Sequence, residues 1–173
     1  MVDGLYSPES VSSSRFLEQR DSNGDALDIE LRTAQASDLD TLHDIRRAAI
    51  LGVQVDLAPG VRERWANRRG PDSFAARVAG GGVRIASFEG KDVGWGSSEA
   101  DHISALYVYP SYGGRGVGRT LLAQLEAAVA HRGHALVRLE SSLNAVSFYA
   151  ALGYTQSGSL RVDGSLPMSK RLD

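Results

Sequence analysis

The sequence contains no cysteine, which excludes disulfide scaffolds, thiolate metal sites and a cysteine nucleophile together. No run of ~18 apolar residues and no charged-then-apolar start is present, so neither a membrane-spanning helix nor a secretion signal is expected. The expected location is the cytoplasm, with no membrane partner. Basic residues are not in excess: 19 Lys and Arg stand against 21 Asp and Glu, a formal net charge of −2. Binding a phosphate backbone needs a dense cationic surface, so no nucleic-acid partner is expected. The local run Arg62, Arg64, Arg68 and Arg69 reads as a solvated helix face. There is no internal repeat and no metal-ligand spacing.

What is there suits one globular domain: 173 residues, 42% hydrophobic and 23% charged, are enough for a real core. Residues 1–26 are rich in Ser, Asp, Glu and Gly without apolar periodicity and read as a polar tail; residues 27–173 read as the domain. Leu27 to Leu31 alternate as a strand does. Ser37 or Asp38 then caps a helix whose apolar stripe runs through Leu39, Leu42, Ile45, Ala49 and Ile50. A second helix opens at Pro59 and carries Val61 and Trp65. Val83–Phe88 and Val93–Gly96, joined by Glu89-Gly90-Lys91-Asp92, read as a hairpin, and His102–Tyr109 as a third strand. Val117, Leu121, Leu122, Leu125 and Val129 give a strong helical stripe that stops before Gly133. A strand over Ala135–Glu140, a helix over Asn144–Leu152 and two closing strands follow. The order βααβββαβαββ predicts an α/β fold, an α+β sandwich with helices flanking a mixed, largely antiparallel sheet.

The most informative stretch is Tyr112-Gly113-Gly114-Arg115-Gly116-Val117-Gly118-Arg119-Thr120, between a strand and a helix. Glycines let a backbone approach a ligand closely, and the first amides of the helix favour an anion such as a pyrophosphate. A tight strand-to-helix turn explains the same glycines without a ligand. Two nucleotide-binding patterns fit poorly: Arg119 stands where a P-loop needs Lys, and the spacing of Gly114, Gly116 and Gly118 misses the dinucleotide fingerprint.

Leu106-Tyr107-Val108-Tyr109-Pro110, the Gly114-Arg115-Gly116-Val117-Gly118-Arg119 loop and Leu121-Leu122 together resemble the cofactor signature of the GNAT N-acetyltransferase superfamily. Asn144 to Tyr154 resembles its closing helix and strand. The motifs cover Ile103 to Tyr154, and the element order extends the resemblance to about residue 27. It implies an acyltransferase that moves an acetyl group from acetyl-CoA to an amine, by direct attack in a ternary complex and without a metal. It implies that backbone groups of Leu106, Tyr107 and Val108 hold the pantetheine arm, while amides from Gly114 to Arg119 hold the pyrophosphate. Gly113 departs from the Gln or Arg usual there. The acceptor would be a small molecule or a peptide N-terminus, and a homodimer is common among such folds. A non-catalytic acetyl-CoA-binding sensor or interaction domain is the alternative.

Acetyl transfer needs a neutral amine, a donor for the carbonyl oxygen as it turns negative, and a proton for the departing thiolate. By the resemblance, Tyr149 matches the tyrosine that protonates the thiolate; without it, Tyr149 is an aromatic packed beside Phe148. The base is His102, which matches the position of a carboxylate in some members, or Glu140, on the strand that bears the base in others. Glu99 and Asp101 are weaker candidates. Asn144 either hydrogen-bonds the pantetheine arm or only caps its helix.

Overall fold

In the computed structural model, which describes residues 28–53 and 60–172, the first alternating segment forms strand β1 (Ile29–Thr33). The tail over 1–26 and the helix-opening Pro59 lie outside the described residues. The first apolar stripe forms α1 (Leu39–Leu51), which buries Leu42, Ile45 and Arg46. Next come α2 (Val61–Asn67) and α3 (Ala75–Ala79). The latter was not expected, because five residues are too few to display a helical period. Strands β2 (Val83–Phe88), β3 (Lys91–Glu99) and β4 (His102–Val108) form a meander. The chain then builds α4 (Val117–His131), β5 (Leu136–Ser142), α5 (Val146–Ala151), β6 (Thr155–Gln156) and β7 (Ser165–Arg171). Apart from α3, this is the expected order.

The seven strands make one sheet in the order β1-β2-β3-β4-β5-β7-β6. Every neighbouring pair is antiparallel except β4 and β5, which are parallel. The β2–β3 turn is tighter than the four residues expected. Glu89 and Gly90 alone make it, with φ of 50° and 74°, and two positive values match the twist of a hairpin. Lys91 and Asp92 therefore join β3.

Each face of the sheet has its own core. On one, Leu42, Ile45, Phe74, Val83, Ile85, Trp95 and Ala105 pack under α1 and the turns after α2. On the other, α4 and α5 cover Ile103, Val137, Leu139 and Met168. Trp95 is fully buried and its indole N–H donates to the Leu42 carbonyl at 2.8 Å. Trp65, by contrast, is 44% exposed on α2. The α4 helix sits close because β3 presents glycine: a Cβ at Gly96 would lie 2.7 Å from Leu125, and one at Gly94 3.1 Å from Val117.

Asp38 occupies the N-cap position of α1, but its side chain makes no cap bond to that helix. It turns back to accept both Arg32 guanidinium nitrogens, at 2.7 and 2.9 Å, and the Gln35 N–H at 2.7 Å. Arg32 also reaches Asp92 at 2.6 Å, tying β1 to the start of α1 and to β3. The Arg32 hydrogen bonds, with the Gln35 amide, hold the Asp38 carboxyl below the ordinary carboxylate value. A group whose folded pKa is depressed stabilises the fold above its unfolded pKa of ~3.9 and loses that contribution as pH falls through the folded value. Asp38→Asn is expected to cost about 1–2 kcal/mol at pH 7. The difference from wild type should shrink toward zero below pH ~3.9. Urea midpoints at pH 7 and pH 3 check both the sign and the window.

Candidate active site

The site lies where β4 and β5 part. The two parallel strands are in register only at His102↔Arg138 and Ile103↔Leu139. At the same level the β3–β4 register shifts between Ser97 and Ser98, leaving Ser104 as an extra residue on β4. Beyond it β4 keeps its β3 partners, Leu106↔Gly96, Tyr107↔Trp95 and Val108↔Gly94, and has none on its other side. The carbonyls of Ala105 and Tyr107 lie against Gly96 and Gly94, and the Tyr109 N–H donates to the Val93 carbonyl at 2.8 Å. Strand backbone reverses its hydrogen-bonding direction at each residue. The N–H and C=O of Leu106 and Val108 therefore face the open edge, where an extended chain can pair with them.

The glycine loop closes one end of this opening. Gly114 and Gly116 have φ of 75° and 82°, a region that side chains with a Cβ rarely adopt. Gly116 is the N-cap of α4 and provides no side-chain cap. The first helical bond runs from the Thr120 N–H to the Gly116 carbonyl at 2.9 Å, so the amides of Val117, Gly118 and Arg119 have no acceptor within the helix. A Cβ at Gly118 would lie 3.4 Å from the Phe148 ring and 3.8 Å from Val108. The start of α4, the end of β4 and α5 thus converge. The Val117 side chain is buried in the core. The Arg115 guanidinium lies over the rings of Phe88 and Tyr112, at 5.5 and 5.6 Å, so its side chain is engaged away from the helix amides. Gly113 has φ −60° and ψ 146°, open to any residue; its glycine is not a backbone requirement.

Tyr149, on α5, is 8% exposed and belongs to the core cluster against which Leu106 packs. Its ring packs edge-on against Phe148 and Tyr154, with centroids 5.1 and 5.6 Å away. Burial pushes its phenol up to about 12, and the nearby Tyr107 phenol adds to the rise. Tyr107, from the opposite face, packs at a tilt against Trp95, with ring centroids 5.2 Å apart, and the buried Arg46 guanidinium lies 5.8 Å above its ring.

The two candidate bases are brought together. His102 Nε2 lies 2.5 Å from Glu140 Oε2, and Arg161 Nη2 lies 3.0 Å from Glu140 Oε1. On β5 the buried residues are Val137, Leu139 and Ser141, so Arg138, Glu140 and Ser142 project from the face opposite α4. The Asp101 carboxylate pairs with Arg138, and Glu99 lies across the strand pair from His102. Asn144 falls in a 3-10 turn, Leu143–Ala145, ahead of α5, whose N-cap is Ala145; its expected alternative role as the cap is overturned. The turn intervenes because β5 runs to Ser142, two residues further than expected.

Arg46 and Arg161 were not singled out in the sequence. Arg46 carried a signal, since it sits on the apolar stripe of α1 four residues after Leu42, where a charge needs a buried partner. It donates to the carbonyls of Ala66 and Trp65 at the end of α2, at 3.0 and 3.2 Å. Arg161 lies in an aperiodic segment and carried none. Among the described residues no cluster of three or more His, Cys, Asp or Glu could hold a metal ion, and no helix is long and apolar enough to cross a membrane.

The chain as a whole is similar to known proteins. The acetyltransferase (GNAT) domain model matches residues 43–171. This chain belongs to the GNAT acetyltransferase superfamily. Its fold is similar to the GCN5-related N-acetyltransferase of Rhodopseudomonas palustris, at 33% identity and TM-score 0.72 over 83% of this chain and 95% of that one. It is similar also to the PaiA N-acetyltransferase of Thermoplasma acidophilum, solved in complex with coenzyme A, at 20% identity and TM-score 0.70 over 83% and 99% of the chains. The ribosomal-protein-alanine N-acetyltransferase of Brucella melitensis aligns at 25% identity and TM-score 0.61, again over 83% and 99%. No curated protein matches the chain. As a GNAT protein it has the general activity of acetyl-CoA-dependent acyl transfer.

Proposed function

We propose that this GNAT protein acetylates an amine, a small molecule or a peptide N-terminus, by direct attack on acetyl-CoA in a ternary complex. The observation that carries the reading is the free β4 edge at Leu106 and Val108, placed beside the uncapped first turn of α4. A pantetheine arm has amides with strand-like spacing and suits that edge. A pyrophosphate suits the amides of Gly114 to Arg119. The coenzyme A bound in the Thermoplasma protein, whose fold this chain shares, supports the same donor. Acetyl-CoA supplies an activated acetyl group on a thioester.

The residues then divide the work. An amide of the Leu106–Val108 stretch donates to the carbonyl oxygen as it becomes negative, a contact of the kind worth about 3–4 kcal/mol in other acyl-transfer enzymes. His102 takes the proton that the amine loses. At ~3.3 Å per residue it lies roughly 13 Å along β4 from Leu106, so the proton crosses through water. Tyr149 donates a hydrogen bond from its hydroxyl to the departing thiolate, which takes up its proton from solvent. The C–N bond forms as the C–S bond breaks, and the products are an amide and free coenzyme A.

Thermal unfolding with acetyl-CoA tests the donor. At 100 times its dissociation constant a ligand stabilises by about 2.7 kcal/mol, which for a chain of this size raises the midpoint by roughly 5–10 °C. A shift with acetyl-CoA and none with ATP is expected. Coenzyme A release, followed by thiol detection across amines and peptide N-termini, then finds the acceptor. Binding with no release for any amine would favour the sensor reading.

A further inference from the structure

The contact between His102 and Glu140 has a chemical consequence. A carboxylate only accepts hydrogen bonds, so Nε2 donates in this contact and, in the neutral ring, the lone pair is on Nδ1. Nδ1 is left without a hydrogen-bond partner among the described residues. The second carboxylate oxygen is not free: Arg161 holds it at 3.0 Å. Arg161 is delivered by the turn between β6 and β7, which is itself tied down. Its N–H donates to the Ser165 carbonyl at 2.8 Å, the Gly164 N–H donates back to the Arg161 carbonyl at 3.0 Å, and Asp163 Oδ1 accepts the Ser165 N–H and hydroxyl. The carboxylate is thus held at both oxygens, one facing the imidazole.

We propose that Glu140 and Arg161 form a positioning pair that sets the tautomer, the orientation and the proton affinity of His102. The pair rests on the reading of His102 as the base. Neither residue touches the reacting atoms. The two charges act on His102 in opposite senses: the carboxylate favours the imidazolium, and the guanidinium opposes it both directly and by neutralising Glu140. Other charged groups near His102 are accounted for. Asp101 and Arg138 answer each other, and Glu99 lies on the neighbouring strand. The β7 residues opposite Arg138 and Glu140 are Ser169 and Pro167, neither of which titrates. From α1, Arg46 sits over Tyr107 and Asp44 acts on Tyr109, both at the far end of β4, with His43 beside Asp44. Arg161 is therefore the one described cation bonded to the carboxylate that orients His102.

The sequence has four histidines, so the His102 imidazole can be assigned by its loss in His102→Gln and titrated by NMR in the full chain. The midpoint of that NMR titration is expected to move down in Glu140→Gln and up in Arg161→Met, relative to the wild-type protein. Arg161→Lys should restore most of the wild-type value. The acid limb of coenzyme A release, measured with whichever amine the screen finds, should move the same way: to lower pH in Glu140→Gln and to higher pH in Arg161→Met. A purely structural role would not produce opposite shifts. Shifts of the same sign, or none in either variant, overturn the pair. An acid limb that survives in His102→Gln overturns the base reading instead, and leaves the NMR shifts as the measure of the pair alone.

Discussion

Tyr149→Phe lowers the turnover of amine acetylation by about 100-fold, at saturating acetyl-CoA and amine, with little change in thermal midpoint. The ring contacts to Phe148 and Tyr154 are apolar and survive in Phe, so a loss of rate reports the hydroxyl. The magnitude follows from the proton affinity. Burial pushes the phenol up to about 12, above an ordinary thiol near ~8.5. Full transfer to a thiolate is therefore uphill by about 5 kcal/mol at ~1.4 kcal/mol per unit. Tyr149 then acts chiefly as a hydrogen-bond donor to the developing charge, which places the effect at the lower end of the ~100- to 10,000-fold range for acid catalysis. The same burial keeps the donor protonated, so no basic limb from this residue is expected below pH ~10. Single-turnover rates of coenzyme A release in the two proteins, across that pH range, decide the assignment. Equal rates would leave Tyr149 as packing alone.

Gly116→Val abolishes most of the thermal shift with acetyl-CoA. Two costs combine at this position. Its φ of 82° lies in the left-handed region, where a β-branched residue is strained by at least ~1–2 kcal/mol. Relief of that strain turns the peptide groups on either side, and these lead into the amides of Val117, Gly118 and Arg119. A hydrogen bond to a charged group contributes about 1.5–3 kcal/mol; losing one or two to a pyrophosphate weakens binding by roughly 100-fold. The ligand-free midpoint should fall as well, by the strain alone. Titration calorimetry separates the two costs, and an unchanged dissociation constant would remove the pyrophosphate from this loop. Gly113→Ala is the matched control: φ −60° there is an ordinary backbone conformation, and the added Cβ meets only the Pro110 carbonyl, at 3.2 Å.

Before folding, then, the chain already carried its element order apart from α3, its two apolar helix stripes and the loop that opens α4. Each is a local property. Leu121, Leu122, Leu125 and Val129 recur at the helical period and lie buried on one side of α4, and Gly114 and Gly116 adopt the positive φ that their residue type permits. Resemblance to the superfamily was legible for the same reason, because its motifs are short and contiguous.

What the tertiary structure alone decided was adjacency. The early parting of β4 from β5 depends on a bulge at Ser104 and on which strands become neighbours, neither of which leaves a periodic trace. His102 and Glu140, read as competing bases 38 positions apart, turn out to be one hydrogen-bonded pair because parallel strands place them on the same face. Arg161, from an aperiodic turn, completes it. Local sequence encodes the preferences of single segments, whereas a site built from three segments exists only once long-range pairing has set their register.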